Sequence, residues 1–307
     1  MNKEQESLTK KLLLPLILFI FFTTFAIWRY VATHKIFYLF NFGYIGIVLS
    51  VGVLLHTFLP KRLQMKVRIL IQLLIGGYLL IYLGFIGCEN LQIEGFFFYL
   101  FAGIFVTATL HYFVAKIFGP FIFGRGWCGW ACWTAMILDL LPWKIPHGRY
   151  RYYGLFRYIH FIISLLLAAY VWYVVKTSNI ISHTYSELYW LALGNLLYYF
   201  IGVSLAFFLK DNRAFCKYVC PIPTFQKVTS RFSLMKIKID TNKCVDCGLC
   251  EKVCPMNIKL LIYKKRNQRI LSTECILCEA CAKSCPKNAI SVTSGFDMGF
   301  KEEIQYK

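Results

Sequence analysis

The chain has 307 residues, of which 58% are hydrophobic and 18% aromatic, and its formal net charge is +19. That apolar content is more than a soluble core of this length buries, which excludes an ordinary soluble protein. Although the chain is basic, it shows no groove-reading motif, so nucleic acid is excluded as a partner.

Only 6 acidic residues precede residue 210. Over that stretch, six segments reach the ~20 apolar residues that a ~30 Å hydrocarbon core requires. They run from Leu12 to Trp28, Tyr44 to Leu59, Ile69 to Ile86, Phe96 to Phe118, Leu155 to Val175 and Leu188 to Leu209. The first is too long for a signal peptide and no small-residue cleavage site follows it. With the N-terminus in the cytoplasm, the inner segments before residue 210 carry 13 Lys and Arg and the outer connections 3. One outer connection holds Glu89 and Glu94 and no base. The positive-inside rule therefore puts the N-terminus, and the chain after the sixth span, on the cytoplasmic face of the membrane. Cys88, at the outer end of the third span, reads as a packed thiol without a partner.

Two C-x3-C pairs sit at the expected cytoplasmic edge. The fourth span leads into Gly124-Arg-Gly-Trp-Cys128-Gly-Trp-Ala-Cys132-Trp133, and the sixth into Arg213-Ala-Phe-Cys216-Lys-Tyr-Val-Cys220-Pro221. Residues i and i+4 share a helix face, so both thiols of a pair can address one site. Two pairs supply four ligands, enough for a third iron–sulfur cluster or another thiophilic metal; packed cysteines or a thiol–disulfide pair are the alternatives. The overlapping G-x-G-x-x-G is not a dinucleotide site, because it follows a membrane helix and no βαβ unit surrounds it. Trp127, Trp130 and Trp133 read first as members of the interfacial aromatic belt, with flanking a cofactor as the alternative.

His56, His111 and His160 fall in spans, on the side of these pairs. Ionisable residues within a membrane invite a functional reading. The candidates are a proton acceptor for quinone chemistry, an axial haem ligand, or interfacial histidines bonded to neighbouring helices.

Residues 210 to 307 carry 18 Lys and Arg against 9 Asp and Glu. Adhesion to anionic headgroups of the lipid bilayer explains such a balance, as does docking of an acidic cytoplasmic electron carrier. The same region contains Cys244, Cys247, Cys250, Cys254-Pro255 and Cys275, Cys278, Cys281, Cys285-Pro286. Both runs are C-x2-C-x2-C-x3-C-P, the spacing that binds [4Fe–4S] clusters in bacterial ferredoxins. The fourth cysteine of each run serves the other cluster. That predicts Cys244, Cys247, Cys250 and Cys285 on one, and Cys275, Cys278, Cys281 and Cys254 on the other. The fourth ligand is expected at the start of the helix that follows the other loop. Structural zinc more usually takes two separated C-x2-C pairs.

The expected fold is therefore a membrane α-helical bundle of about six transmembrane helices with a C-terminal α+β two-cluster ferredoxin-like domain. Residues 1–209 form the membrane part with the first C-x3-C motif, 210–234 a basic linker with the second, and 235–307 the double ferredoxin unit. The first strand is expected to begin within Ser230 to Ile239.

Gly-Arg-x2-Cys-Gly-Trp-x-Cys, the second C-x3-C-P and the double ferredoxin run resemble the NapH/NosR/CcoG group of membrane polyferredoxins, over residues 96 to 290. The resemblance implies [4Fe–4S] clusters and a redox role in a bacterial cytoplasmic (inner) membrane. Some members of that group are quinol dehydrogenases feeding periplasmic reductases, and others are metal reductases in oxidase assembly. Cys132-Trp133 departs from the usual Cys-Pro, and no flavin attachment motif is present. The leading expectation is electron transfer between a cytoplasmic carrier and a membrane or periplasmic redox partner, with the quinone pool foremost. A metal-reducing assembly factor and a membrane redox sensor stay open.

Overall fold

The structure, a computed structural model, describes residues 3–177, 184–297 and 301–307, with the side chains of 3–10 and 184–186 left out. The Lys3 and Lys10 side chains used in the charge count therefore lie outside the described residues. Contacts divide the chain into two compact units, Met1–Ile75 and Gly76–Lys307.

In the first unit, the helices Lys3–Thr33 and Ile36–Phe58 form an antiparallel hairpin. The hairpin turns at His34, whose φ is 53°. Phe25 meets Phe42 edge-to-face at 4.6 Å, and Arg29 lies over Tyr38 at 4.8 Å. Leu13, Leu14, Leu16 and Ile20 are exposed along one helix and Phe40 and Ile47 along the other. Apolar surface of that extent fits lipid contact, since lipid tails solvate it as well as a core does.

Among the described residues, five helices are long and apolar enough to cross a membrane, or six if one bent pair counts as a span. That pair corrects the expected single span from Phe96 to Phe118. Ile93–Ala102 and Thr107–Phe123 meet at 115°. The cause is Gly103, which takes φ 68° and closes the first helix with hydrogen bonds from its own N–H to Leu100 and from Ile104 N–H to Tyr99. A left-handed residue at this position ends a helix and redirects the chain. Glu94 is likewise not in a connection. It lies in the first turn of Ile93–Ala102, which packs against Phe156–Thr177.

In the same unit, the chain leaves Glu187–Leu209 through two short helices, Ala214–Tyr218 and Ile222–Ser230, into a compact C-terminal module. Strands β1 (Met235–Ile239) and β2 (Ile290–Ser294) pair antiparallel, with Ile237 opposite Val292 and Ile239 opposite Ile290. Ile237, Ile239, Ile258, Leu260, Ile270 and Ile276 form one buried cluster with Cys250, Cys254, Cys278 and Cys281. The residues at the C-terminus fasten this module to the connection ahead of Phe156. Lys259 N–H donates to Glu303, Gln305 N–H to Asn257, and Lys307 N–H to Arg149.

Candidate iron–sulfur sites

The module repeats its backbone as it repeats its sequence. Asp246 and Leu277 occupy equivalent positions in the two cysteine loops, and both take left-handed φ, 53° and 47°. Asn257 and Asn288, each three residues past the fourth cysteine, have φ 53° and 50°. Asn tolerates this region because its short polar side chain bonds locally. Each loop curls tightly enough to turn three thiols towards one cavity.

Two cavities result. One is lined by Cys275, Cys278 and Cys281 together with Cys254, and by Ile237, Ile270 and Leu277. The other is lined by Cys244, Cys247 and Cys250 together with Cys285, and by Leu261 and Ile290. Cys254 and Cys285 do not open a following helix. Cys285 comes directly after the short helix Ala280–Ser284 and Cys254 one residue after Leu249–Lys252, because each run folds one helical turn around its third cysteine before the Cys-Pro. Burial pushes the Cys250 and Cys275 thiols up to about 12. Such thiols ionise only beside a strong positive charge, which iron supplies. Among the described residues, no three His, Cys, Asp or Glu converge on the position of a single metal ion. Two quartets spread around cavities instead suit a cofactor larger than one ion.

The C-x3-C pairs depart from the expected continuous helix face. Cys128 lies in Gly126–Trp130, but Cys132 is extended (ψ 122°) and caps the next helix, Trp133–Leu138. The helix closes because the Trp127 carbonyl accepts both Ala131 N–H and Cys132 N–H. The second pair has the same closure, with the Phe215 carbonyl accepting Val219 N–H and Cys220 N–H. Each pair thus straddles the end of a one-turn helix. In each, an arginine three residues before the first cysteine is fully buried: Arg125 and Arg213. Arg213 holds Asp139 through two bonds of 2.7 and 2.6 Å, and its Nη1 donates to the Cys128 carbonyl at 2.9 Å, tying the pairs together. Cys132, Cys216 and Cys220 pack in one cluster, and the Arg213 Nη1 that reaches the Cys128 carbonyl lies 3.9 Å from Cys216 Sγ, so the four cysteines form one group. Burial, reinforced by neighbouring thiols, raises Cys132, Cys216 (to about 11) and Cys220, although Arg213 pulls Cys132 and Cys216 the other way.

Buried donors without acceptors surround this group. Gln226 Nε2 and Trp127 Nε1 have none, while Gln226 Oε1 accepts from Cys128 Sγ at 3.2 Å. Unsatisfied buried donors are costly, and an anionic sulfur-rich group is what they could serve. The residues therefore fit a third cluster. Trp127 and Trp133 enclose His111, with ring centroids 4.8 and 5.9 Å away.

The third tryptophan joins this group to the module. Trp130 Nε1 donates to the Leu277 carbonyl at 2.9 Å, and Gly129 packs directly on the Ile276 carbonyl. One residue before Cys275, the buried Glu274 receives Arg125 and Arg157 at 2.8 Å, Lys227 at 2.7 Å and Arg149 at 3.1 Å. Burial would raise its carboxyl, but these four cations outweigh it and hold it well below the usual carboxylate range. Three of the loop cations used to orient the chain are thus committed to the module.

His160 reaches the backbone of the second C-x3-C pair. Its Nδ1 is 2.9 Å from the Val219 carbonyl, its Nε2 is 3.9 Å from Glu94 Oε1, and Tyr198 Oη is 3.5 Å from Nε2. Ser164 donates to Glu94 at 2.6 Å. His56 is buried in the Met1–Ile75 unit. Cys88 is half-buried and near Phe85 and Ile86 carbonyls. Sequence reasoning missed Glu94, Lys116, Gln226 and Glu274. The available signal was the shared spacing Arg-x2-Cys-x3-Cys, which marks Arg125 and Arg213.

Comparison with known proteins agrees with the cysteine pattern. Residues 236–286 match the 4Fe-4S dicluster domain family, and 105–151 and 194–240 each match a 4Fe-4S binding domain family. The latter two segments each contain one C-x3-C pair. The chain is 31% identical over 179 residues to the uncharacterized protein MJ0749 of Methanocaldococcus jannaschii, covering 55% of this chain and 67% of that one. It is 30% identical over 154 residues to the uncharacterized protein MJ0750 of the same organism, covering 45% and 62%. It is 26% identical over 150 residues to the methylamine utilization ferredoxin-type protein MauN of Methylobacillus flagellatus, covering 44% and 50%. The chain thus spans between half and two thirds of these relatives. No solved structure matches it significantly.

Proposed function

We propose that this chain, which belongs to the same family as the uncharacterized protein MJ0749 of Methanocaldococcus jannaschii, is a membrane-bound iron–sulfur relay passing electrons between a soluble carrier and a membrane partner. The observation that carries this reading is the sequence of three thiol quartets within one compact unit. Cys244, Cys247, Cys250 and Cys285 would hold the outer cluster, and Cys254, Cys275, Cys278 and Cys281 the inner one. Cys128, Cys132, Cys216 and Cys220 would hold a third at the membrane edge. When bound, each cluster supplies a one-electron couple.

The protein's own groups give the relay a direction in space. Cys247 and Val245 are exposed, and Lys243 and Lys287 flank the outer cavity on the surface. That lip suits an acidic carrier. The inner cavity is buried, and Trp130 and Gly129 press on its loop from the membrane-edge group. Arg125, Arg149, Arg157 and Lys227 fix that contact through Glu274. Since Arg125 and Arg149 belong to the connection between the fourth and fifth spans and Arg157 to the first turn of the helix after it, the module and that connection would share one face, which we take as cytoplasmic. The segments 1–209, 210–234 and 235–307 would then be membrane part, linker and relay module, in the cytoplasmic membrane of a prokaryote. The resemblance to the NapH/NosR/CcoG group points the same way.

Quinone is the favoured membrane partner. Glu94, Ser164, His160 and Tyr198 form a polar group beside Cys220, and quinol gives up protons with its electrons. His160 would accept a proton, and Glu94 would orient it. The test is anaerobic exchange in vesicles, adding quinol to oxidised protein and quinone to reduced protein. Cluster absorbance should change in the wild type and much more slowly in His160→Ala. Exchange in neither direction would remove quinone as the partner.

A further inference from the structure

Lys116 is an anomaly in the Gly76–Lys307 unit. It lies in the π-helical stretch Tyr112–Phe118 of the bent pair and is 2% exposed. Among the described residues its ammonium makes no ion pair with a carboxylate. It sits over the Trp127 ring at 4.6 Å and the Trp133 ring at 5.5 Å. The acidic groups that act on its charge are the thiols of Cys132, Cys128 and Cys220. A buried lysine within a membrane segment needs a counter-charge, and aromatic faces supply only part of one. Four neutral thiols supply none.

Gln226 makes the same demand independently. It is fully buried, its Oε1 accepts from the Cys128 thiol, and its Nε2 has no acceptor. Once Cys128 becomes a ligand it has no proton to give. The amide then flips, because its two ends differ only in donor and acceptor role, and Nε2 donates to the sulfur. Both residues are thus incomplete until the thiol group carries negative charge.

We infer that Lys116 is the counter-charge of a cluster held by Cys128, Cys132, Cys216 and Cys220, and that, with Gln226 as hydrogen-bond donor, it raises that cluster's reduction potential above what its buried setting would give. This rests on the third cluster proposed above. Reduction adds one negative charge to the cluster, and a fixed ammonium beside it favours the reduced form. Such tuning would keep the membrane-edge cluster able to accept electrons from the inner cluster of the module.

The test is an EPR-monitored redox titration of the full chain in detergent, with iron determined on each sample. The signal absent from Cys216→Ser identifies the membrane-edge cluster. In Lys116→Met its reduction equilibrium should fall about tenfold, about 59 mV for a one-electron couple, with the module signals unmoved. Gln226→Leu should move it the same way, and Lys116→Arg should leave it near the wild-type value. If Lys116→Met loses the cluster while Lys116→Arg keeps it, the need for charge also stands. An unmoved potential in Lys116→Met with full iron would overturn the inference, as would loss of the cluster from Lys116→Arg as well. A wild type with about eight irons, unchanged by Cys216→Ser, would instead overturn the third cluster itself.

Discussion

Gly129 lies so close to Ile276 that a methyl group in place of its hydrogen would collide with the Ile276 carbonyl oxygen. The contact is backbone to backbone, between the first C-x3-C motif and the loop that carries Cys275, Cys278 and Cys281. It has no flexible side chain to give way. Gly129→Ala should therefore loosen the docking of the module at a cost of about 1–3 kcal/mol, the usual penalty of overpacking. Thermal unfolding should show the loss, and electron exchange between the module and the membrane edge should slow while module iron stays bound.

The crossed quartets predict an unequal result from two similar substitutions. Cys285→Ser should remove the cluster held with Cys244, Cys247 and Cys250, and leave the one lined by Cys275, Cys278 and Cys281. Cys254→Ser should do the reverse. EPR of the two variants separates this arrangement from one in which each run serves its own cluster, where the losses would be exchanged.

Removing iron should unfold the module and spare the helices of the membrane segments. The module's buried cluster includes Cys250, Cys254, Cys278 and Cys281 among its members, and among the described residues its sheet has two strands. A core this small depends on its cofactor for stability. After chelation under oxidising conditions, limited proteolysis should cut within residues 235–307. Far-UV circular dichroism should keep most of its helical signal.

Acid should loosen the sheet through Asp297. Burial acts to raise its carboxyl, but the hydrogen bond and charge of Arg269 at 2.6 Å, with Lys236 at 3.3 Å, outweigh that and hold it below its usual value. Arg269 in turn donates to the Leu234 and Thr293 carbonyls at the end of the sheet. A depressed carboxylate stabilises fully above its unfolded pKa of ~3.9, and the contribution is lost as pH falls through the lower folded value. Asp297→Asn should be less stable than wild type at pH 7, and the gap should narrow as acid takes the pH down through the lowered folded value. Denaturant titrations at neutral and acid pH measure it.

The eight module cysteines were readable from the chain because their chemistry is local: spacing of two and three residues sets both the loop and the ligand set. The C-x3-C pairs were readable as pairs but not as shapes. A helix would align i and i+4, but each helix closes where one carbonyl, Trp127 or Phe215, accepts two N–H groups, so each second cysteine hangs beyond a helix end. The rest of the site is assembled over long sequence separations. Cys128 meets Gln226 across 98 residues, Glu94 meets Ser164 across 70, and Arg125 meets Glu274 across 149. No local pattern encodes such pairings. The basic character of the tail was also misleading in part. Arg213, Lys217, Lys236 and Arg269 are buried in ion pairs, so they are not free to meet lipid or a carrier.

Iron and acid-labile sulfide determined on anaerobically purified full-length protein test the central claim most directly. Three cubane sites predict about twelve irons per chain with matching sulfide, falling to about eight in Cys216→Ser. A chain free of iron, or one carrying zinc at the same cysteines, would contradict the account.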